Sequence, residues 1–294
     1  AAARYWAGRA AAAAGRRAIA RRHWERVLER HPMSYYVIPA AERLGVEVPE
    51  PPGDGAPLTG SEFTAAVDRA DLLDRLGMNL EARWERDRVA RDAERSLAAL
   101  VQAARSLAAR GQSGRALRLA QRAVDRGAPL DGRLARLLYP LPVAQELEAE
   151  ARRAGVDPLL AAGLIRQESS FDPAARSVAD ARGLMQVLPS LGAVFARSEE
   201  LPGWDPVLLY QPDLNLHFGL RHLADVLRRY DRVEHALAAY NAGGTPVRGW
   251  LDLRGVKRDP EVFIERIPYV ETRDYVRVVV RNRVIYRILY PQVR

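Results

Sequence analysis

The sequence contains no cysteine. That excludes disulfides, thiolate metal sites and a catalytic thiol together. It leaves the compartment open, because a protein of the cell envelope can also do without disulfides. Lysine is nearly absent as well: Lys257 is the single one among 45 basic residues. A coding bias toward Arg and Ala accounts for this without a functional reading. Long apolar runs are missing. Ala10–Ala14 and Val278–Val280 fall far short of the ~18 residues a membrane span needs, so no stable membrane insertion is expected. There is no initiator Met and no charged-then-apolar leader, so a mature or trimmed form is expected, with any export signal already removed. The five histidines, His23, His31, His217, His222 and His235, show no HExxH or other ligand spacing. No calcium loop or phosphate-binding glycine loop occurs either, and neither a metal nor a cofactor is expected. Cys/His fingers, aromatic-rich basic strands and heptad zippers are missing too, so nucleic acid is not an expected partner.

What remains is a soluble globular composition: 294 residues, 48% hydrophobic and 28% charged, long enough for two domains with a buried core. The formal charge is +8. It is distributed unevenly, with 24 basic and 17 acidic residues up to Leu138 and 21 and 20 beyond it. A basic surface attracts polyanions of any kind, so this excess alone selects no partner.

Up to about Leu138 the chain is rich in Ala, Arg and Leu at helical spacing. Tyr5, Trp6, Ala10 and Ala14 precede Gly15, and Ile19, Trp24 and Leu28 follow it, which reads as a helix pair ending before His31-Pro32. A similar unit runs from Leu100 to Ala109, breaks at Gly111 to Gly114, and continues through Ala116, Leu119, Ala120 and Val124. Such pairs resemble tetratricopeptide units, and both a solenoid and an ordinary helical bundle accommodate them. Between them, Val46–Gly60 holds four prolines and three glycines and reads as a loop or hinge. Tyr139-Pro140-Leu141-Pro142 is a second break. Asp157-Pro158 then supplies an N-cap and a first helical proline, predicting a helix to about Phe171. Beyond it Gly, Pro, Asn and aromatic residues punctuate shorter helices, the texture of a site-bearing region.

On that helix Leu160, Leu164 and Glu168 follow one another at i+4. A carboxyl group at the end of an apolar face is desolvated, which raises its pKa. A proton kept near neutral pH is what a general acid needs to protonate a glycosidic oxygen. An isolated Glu at such a position can equally rotate to solvent or pair with an Arg. The decision falls to its surroundings: Ile165-Arg166-Gln167-Glu168-Ser169-Ser170-Phe171-Asp172-Pro173, then Ser177, then Ala181-Arg182-Gly183-Leu184-Met185-Gln186, then Ala239-Tyr240-Asn241-Ala242-Gly243, then Ile267-Pro268-Tyr269-Val270-Glu271-Thr272-Arg273-Asp274-Tyr275-Val276.

These four ordered motifs, spread over about Tyr139 to Tyr290, resemble the catalytic domain of the soluble lytic transglycosylases, which has a goose-type-lysozyme-like fold. The resemblance implies a mainly α protein: an N-terminal α-helical superhelix of tetratricopeptide-like pairs over 1–138, followed by an α-rich lysozyme-like catalytic domain over 139–294. It implies that peptidoglycan glycan strands are the partner and that the periplasm or cell envelope is the location. It also implies that Glu168 is the sole catalytic acid/base, forming 1,6-anhydro-muramic ends. Ser177, Leu184, Met185, Gln186, Tyr240, Asn241 and Glu271 take substrate-binding positions. Gln186 would hydrogen-bond a sugar, Ser177 would lie near the N-acetyl group, and Glu271 would add a negative charge near Glu168. Leu184 and Met185 equally suit a core, Asn241-Gly243 a helix end, and Glu271 a surface pair with Arg273 or another Arg. The basic excess of 1–138 would hold an anionic wall polymer near the enzyme. Departures from the family pattern are Asp180 for Gly, Leu188 and Leu191 for Met and Thr, and Gly244 for Pro. A hydrolytic lysozyme of the same fold is the nearest alternative, and a non-catalytic glycan-binding scaffold a more distant one. Val276, Val280, Val284 and Ile288 recur at i+4 and predict a closing helix.

Overall fold

The computed structural model describes residues 1–54, 62–253 and 259–293. Among them the chain is mainly α, as expected, with sixteen α-helices, one short 3-10 helix at Pro206–Tyr210 and no extended strand. The first eight helices are α1 (Ala2–Ala13), α2 (Arg17–Arg30), α3 (Val37–Leu44), α4 (Thr64–Arg75), α5 (Asn79–Ala93), α6 (Leu97–Ala108), α7 (Ser113–Asp125) and α8 (Gly132–Leu138). The second eight are α9 (Ala144–Ala154), α10 (Pro158–Glu168), α11 (Pro189–Ser198), α12 (Pro212–Arg229), α13 (Val233–Ala242), α14 (Gly244–Leu251), α15 (Pro260–Arg266) and α16 (Val270–Leu289). By contacts the chain divides into two compact units, residues 1–50, 151–167 and 220–294, and residues 51–150 and 168–219. The units are thus assembled from several chain segments each.

In the first unit α1 and α2 form the expected pair around Gly15, whose φ of +74° is one that a side chain would strain. The pair is tight. A Cβ added at Gly8 would lie 2.4 Å from the Trp24 indole nitrogen. Tyr5, Trp24, Val27, Tyr36 and Val37 form its core. The polar edge of this cluster reaches α15: the Tyr5 hydroxyl donates to Glu261, Arg9 pairs with Asp259 at 2.8 Å, and Arg43 pairs with Glu261 at 2.7 Å. Tyr36 likewise donates to Glu265, which also holds Arg277 of α16. The tyrosine hydroxyls are kept protonated, first by burial and then by the carboxylate each one faces. So the first 45 residues and the last helices share one unit, although more than two hundred residues separate them in the chain.

The second unit contains the other expected pair, α6 and α7, turning at Gly111 (φ +72°) with Ser96 accepting the Ala99 amide as N-cap. It also contains a pair not anticipated from the sequence, α4 and α5, turning at Gly77 (φ +77°). These two helices are dense in charge and bury only Val67, Ala70, Ala82, Arg86, Val89 and Ala93, so their apolar stripe is narrow. Of the expected Val46–Gly60 loop, residues 46–54 are non-helical, and the remainder lies outside the described residues. Its Pro52 carbonyl accepts the Gly132 amide at 2.8 Å, and Asp54 pairs with Arg136 at 2.8 Å, fastening the segment to α8. No helix among the described residues is long and apolar enough to cross a membrane.

Candidate active site

The helix that carries Glu168 is fixed at its start and along its side. Asp157 caps α10, accepting the amides of Leu159 (2.9 Å) and Leu160 (3.3 Å). Its other oxygen takes Arg283 at 2.7 Å and Arg287 at 3.0 Å from α16. Burial opposes the Asp157 charge, but the Arg283 and Arg287 guanidinium groups and the capped amides outweigh it and hold the carboxyl below its usual range. Farther along, Gly163 lets α16 approach closely. A Cβ there would lie 3.0 Å from the Arg283 nitrogen, and Asn282, fully buried, donates to the Gly163 carbonyl at 3.0 Å.

The expectation of a helix to about Phe171 is corrected: α10 ends at Glu168. Ser170 (φ +53°) and Phe171 (φ +62°) turn into the left-handed region, which stops the helical hydrogen-bond run. Glu168, the last helical residue, is half-buried, whereas Gln167 is exposed and Phe171 is buried. A later loop holds the turn in place. The Ser169 hydroxyl donates to the Leu184 carbonyl at 2.8 Å, linking the residue next to Glu168 to the Gly183–Gln186 loop.

That loop is small and strongly constrained. Ser177 accepts the Ala181 amide at its hydroxyl (3.0 Å) while its own amide donates to the Ala181 carbonyl (2.9 Å). Asp180 sits at φ +64°, the left-handed conformation expected for a residue standing where glycine is usual. Arg182 and Arg176 both grip it and hold its carboxyl below the usual range. At Gly183 (φ +74°) a Cβ would fall 2.3 Å from both the Leu209 carbonyl and the Asn215 side-chain nitrogen, so no other residue fits. Gln186, at φ +51°, donates its carboxamide nitrogen to the Gly183 carbonyl (2.8 Å) and the Ala175 carbonyl (3.3 Å). Leu184 and Met185 are buried, and Met185 fills the space that Gly219 leaves on α12.

The residue that sequence reasoning missed is Asn215. It is fully buried and satisfies three backbone groups at once: it donates to the Arg182 carbonyl (2.8 Å) and the Leu209 carbonyl (2.7 Å), and accepts the Met185 amide (2.8 Å). Its one sequence signal is a polar amide between Leu214 and Leu216 in the first turn of an amphipathic helix.

The other candidates belong to the first unit. Tyr240, half-buried near the end of α13, lies with its ring 4.9 Å from that of His222. Burial of His222 disfavours its charged form. Asn241 accepts the Thr272 hydroxyl at 2.6 Å, joining α13 to α16, and Gly243 (φ +83°) ends α13. Glu271 is exposed in the first turn of α16, and Arg273 donates to the Ile267 carbonyl instead of pairing with it. The structure therefore groups Glu168, Ser177, Leu184, Met185 and Gln186 in one unit, and Tyr240, Asn241 and Glu271 in the other. Among the described residues no cluster of three or more His, Asp or Glu could hold a metal ion.

Residues 146–263 match the family model described as the transglycosylase SLT domain. The chain carries an SLT domain. Glu168, Ser177, the Leu184–Gln186 segment, Tyr240 and Asn241 lie inside the match, and Glu271 lies beyond it. Over 130 residues the chain is 35% identical to the soluble lytic murein transglycosylase of Escherichia coli, which is 43% of this chain and 20% of that protein. The crystal structure of the 70 kDa soluble lytic transglycosylase of E. coli superposes with a TM-score of 0.85 at 25% identity. A structure of the lytic transglycosylase Slt from Pseudomonas aeruginosa, an inactive Glu-to-Gln variant, gives 0.80 at 28%. Each covers 97% of this chain, whereas the chain spans 45% of each of those proteins. The likeness therefore extends through the N-terminal helices as well as the SLT domain, and the superhelix-plus-lysozyme-like architecture expected from the motifs holds.

Proposed function

We propose that the protein is a peptidoglycan lytic transglycosylase that cleaves the β-1,4 bond between N-acetylmuramic acid and N-acetylglucosamine, with Glu168 as its single acid/base. The observation that carries this reading is the SLT domain match together with the placement of Glu168 inside it, half-buried at the last turn of α10 and tied through Ser169 to the Gly183–Gln186 loop. The C-terminal end of a helix is its negative pole and disfavours an anion. A carboxyl group there is suited to begin the reaction protonated.

In the proposed sequence Glu168 gives its proton to the glycosidic oxygen as the bond to the muramic C1 breaks. The N-acetylglucosamine end leaves as an alcohol, and the muramic N-acetyl oxygen stabilises the electron-poor C1. The Glu168 carboxylate then takes the proton of the muramic C6 hydroxyl, whose oxygen closes on C1. The ring becomes 1,6-anhydro and Glu168 is protonated again. No second carboxylate is required, because the nucleophile is part of the substrate and its effective concentration is high. Ser177, Gln186, Tyr240, Asn241 and Glu271 are the proposed substrate contacts. Leu184 and Met185 would act from below, through the shape of the loop backbone. Residues 139–294 are proposed as the catalytic part and 1–138 as the helical part that presents glycan strands to it, with the periplasm or cell envelope as the place of action. The test is Glu168→Gln on purified sacculi: turnover is abolished while glycan binding is kept. Equal turbidity loss by the variant and the wild type would remove Glu168 from the mechanism.

A further inference from the structure

Within the second unit a cavity of about 870 Å³ opens between α5, α7 and the segment from Phe171 to Ala174. Its lining is strongly cationic. Arg83, Arg86, Arg115, Arg118 and Arg122 face it, against the carboxylates Asp87 and Asp172. Both carboxylates are engaged: Asp87 pairs with Arg115 at 2.9 Å and more loosely with Arg83, and Asp172 accepts the Ala174 amide at 3.0 Å. Behind the wall, Glu94 pairs with Arg122, and Asp74 with Arg86. Arg118 is exposed and has no ion-pair partner among the described residues.

Two further observations point to a ligand. The cavity wall includes Gln112, Ser113 and Gly114 at the start of α7, a thirteen-residue helix whose first turn receives no side-chain cap. Uncapped amides at the positive end of a helix are a ready anion site. Independently, Arg86 is only 6% exposed, yet its Nε is buried with no hydrogen-bond partner. A buried charged donor left unmatched is costly, and an anion in the adjoining cavity would offset that cost through its field, not by direct contact.

We propose that this cavity, whose lining does not include Glu168, is an oxyanion-binding site that takes a ligand bearing two or more carboxylate or phosphate groups. The arginine forks and the α7 amides hold the anionic groups, and Leu107, Leu119 and Phe171 accommodate the apolar part of such a ligand. The proposal does not depend on the glycan-cleaving reading and can fail while lyase activity stands.

The experiment is calorimetric titration of the full chain with two probes, inorganic pyrophosphate and citrate. The wild type is expected to bind at least one with a Kd below about 1 mM. Arg118→Gln and Arg83→Gln, both solvent-facing changes, are each expected to weaken binding about tenfold, the loss of one charged contact. Arg118→Lys is expected to fall between, since it keeps the charge and loses the fork. Arg21→Gln, at a surface arginine that pairs with Glu25 outside the cavity, should leave affinity unchanged, and urea unfolding should show all variants folded. Preference for citrate identifies a carboxylate ligand, and preference for pyrophosphate a phosphate one. Absence of heat with both probes, or equal affinity in the wild type and both glutamine variants, would overturn the assignment.

Discussion

The site depends on Asn215 more than on any other residue outside the motifs, and its removal is the most informative single perturbation. Asn215 is fully buried and serves Arg182, Leu209 and Met185 with bonds of 2.7–2.8 Å. Asn215→Leu keeps the volume roughly constant but removes the side-chain partner of the Leu209 carbonyl and of the Met185 amide, while the Arg182 carbonyl keeps the Val187 amide at 3.0 Å. Each lost partner costs about 1–3 kcal/mol, reduced where the loop relaxes or water enters, so a total loss of about 2–4 kcal/mol is expected. With a urea slope of about 2–3 kcal/mol per molar, the unfolding midpoint should drop by roughly 1–2 M at unchanged slope. Asn215→Ala should lose at least as much, because it also leaves a cavity. Comparing the two separates hydrogen bonding from packing. If Asn215→Leu unfolds within about 1 kcal/mol of the wild type while Asn215→Ala does not, packing rather than these bonds holds the loop, and the reasoning is wrong. Activity on sacculi should fall in both variants under conditions where they remain folded, since Gly183–Gln186 lose their anchor.

Two other outcomes rest on the same kind of geometry. Gly183→Ala places a methyl group 2.3 Å from the Leu209 carbonyl at a φ of +74°, and should destabilise by several kcal/mol and sharply reduce activity; a stable, active variant in urea unfolding and turbidity assays would contradict the loop description. His235 is buried with its ring 4.4 Å from Phe263, and burial, helped by Arg232, pushes its pKa down to about 4. The unfolded chain therefore binds the proton first: stability from this group is intact above pH 6.5 and declines as pH falls toward 4, by on the order of 3 kcal/mol. His235→Phe should flatten that part of the stability–pH curve in thermal unfolding, and an unchanged curve would assign the acid sensitivity elsewhere.

Much of this architecture was readable from the chain because it rests on local signals. Gly15 and Gly111 marked helix turns because a positive φ is needed there, and Asp157-Pro158 marked the start of α10 through capping. The closing helix could be read from its i+4 valines. What escaped was non-local. The end of α10 at Glu168 depends on Ser169 reaching Leu184, a partner fifteen residues away, and no propensity encodes that bond. The bond from the Gln186 nitrogen to the Gly183 carbonyl and the triple role of Asn215 likewise exist only once the loop is closed. The α4–α5 pair was overlooked because its buried stripe is small residues and valine amid charge. The sharing of one unit by α1–α3 and α15–α16 rests on Tyr–Glu and Arg–carboxylate contacts between distant segments, which amino-acid order does not reveal.

The central claim is that a substrate hydroxyl, not water, completes the reaction begun by Glu168. The direct test is the mass of the glycan ends released from purified sacculi. Muramic termini lighter by one water molecule than reducing ends are expected, absent when Glu168→Gln replaces the wild type. Water-added reducing ends from the wild-type protein would contradict the claim and identify a hydrolase.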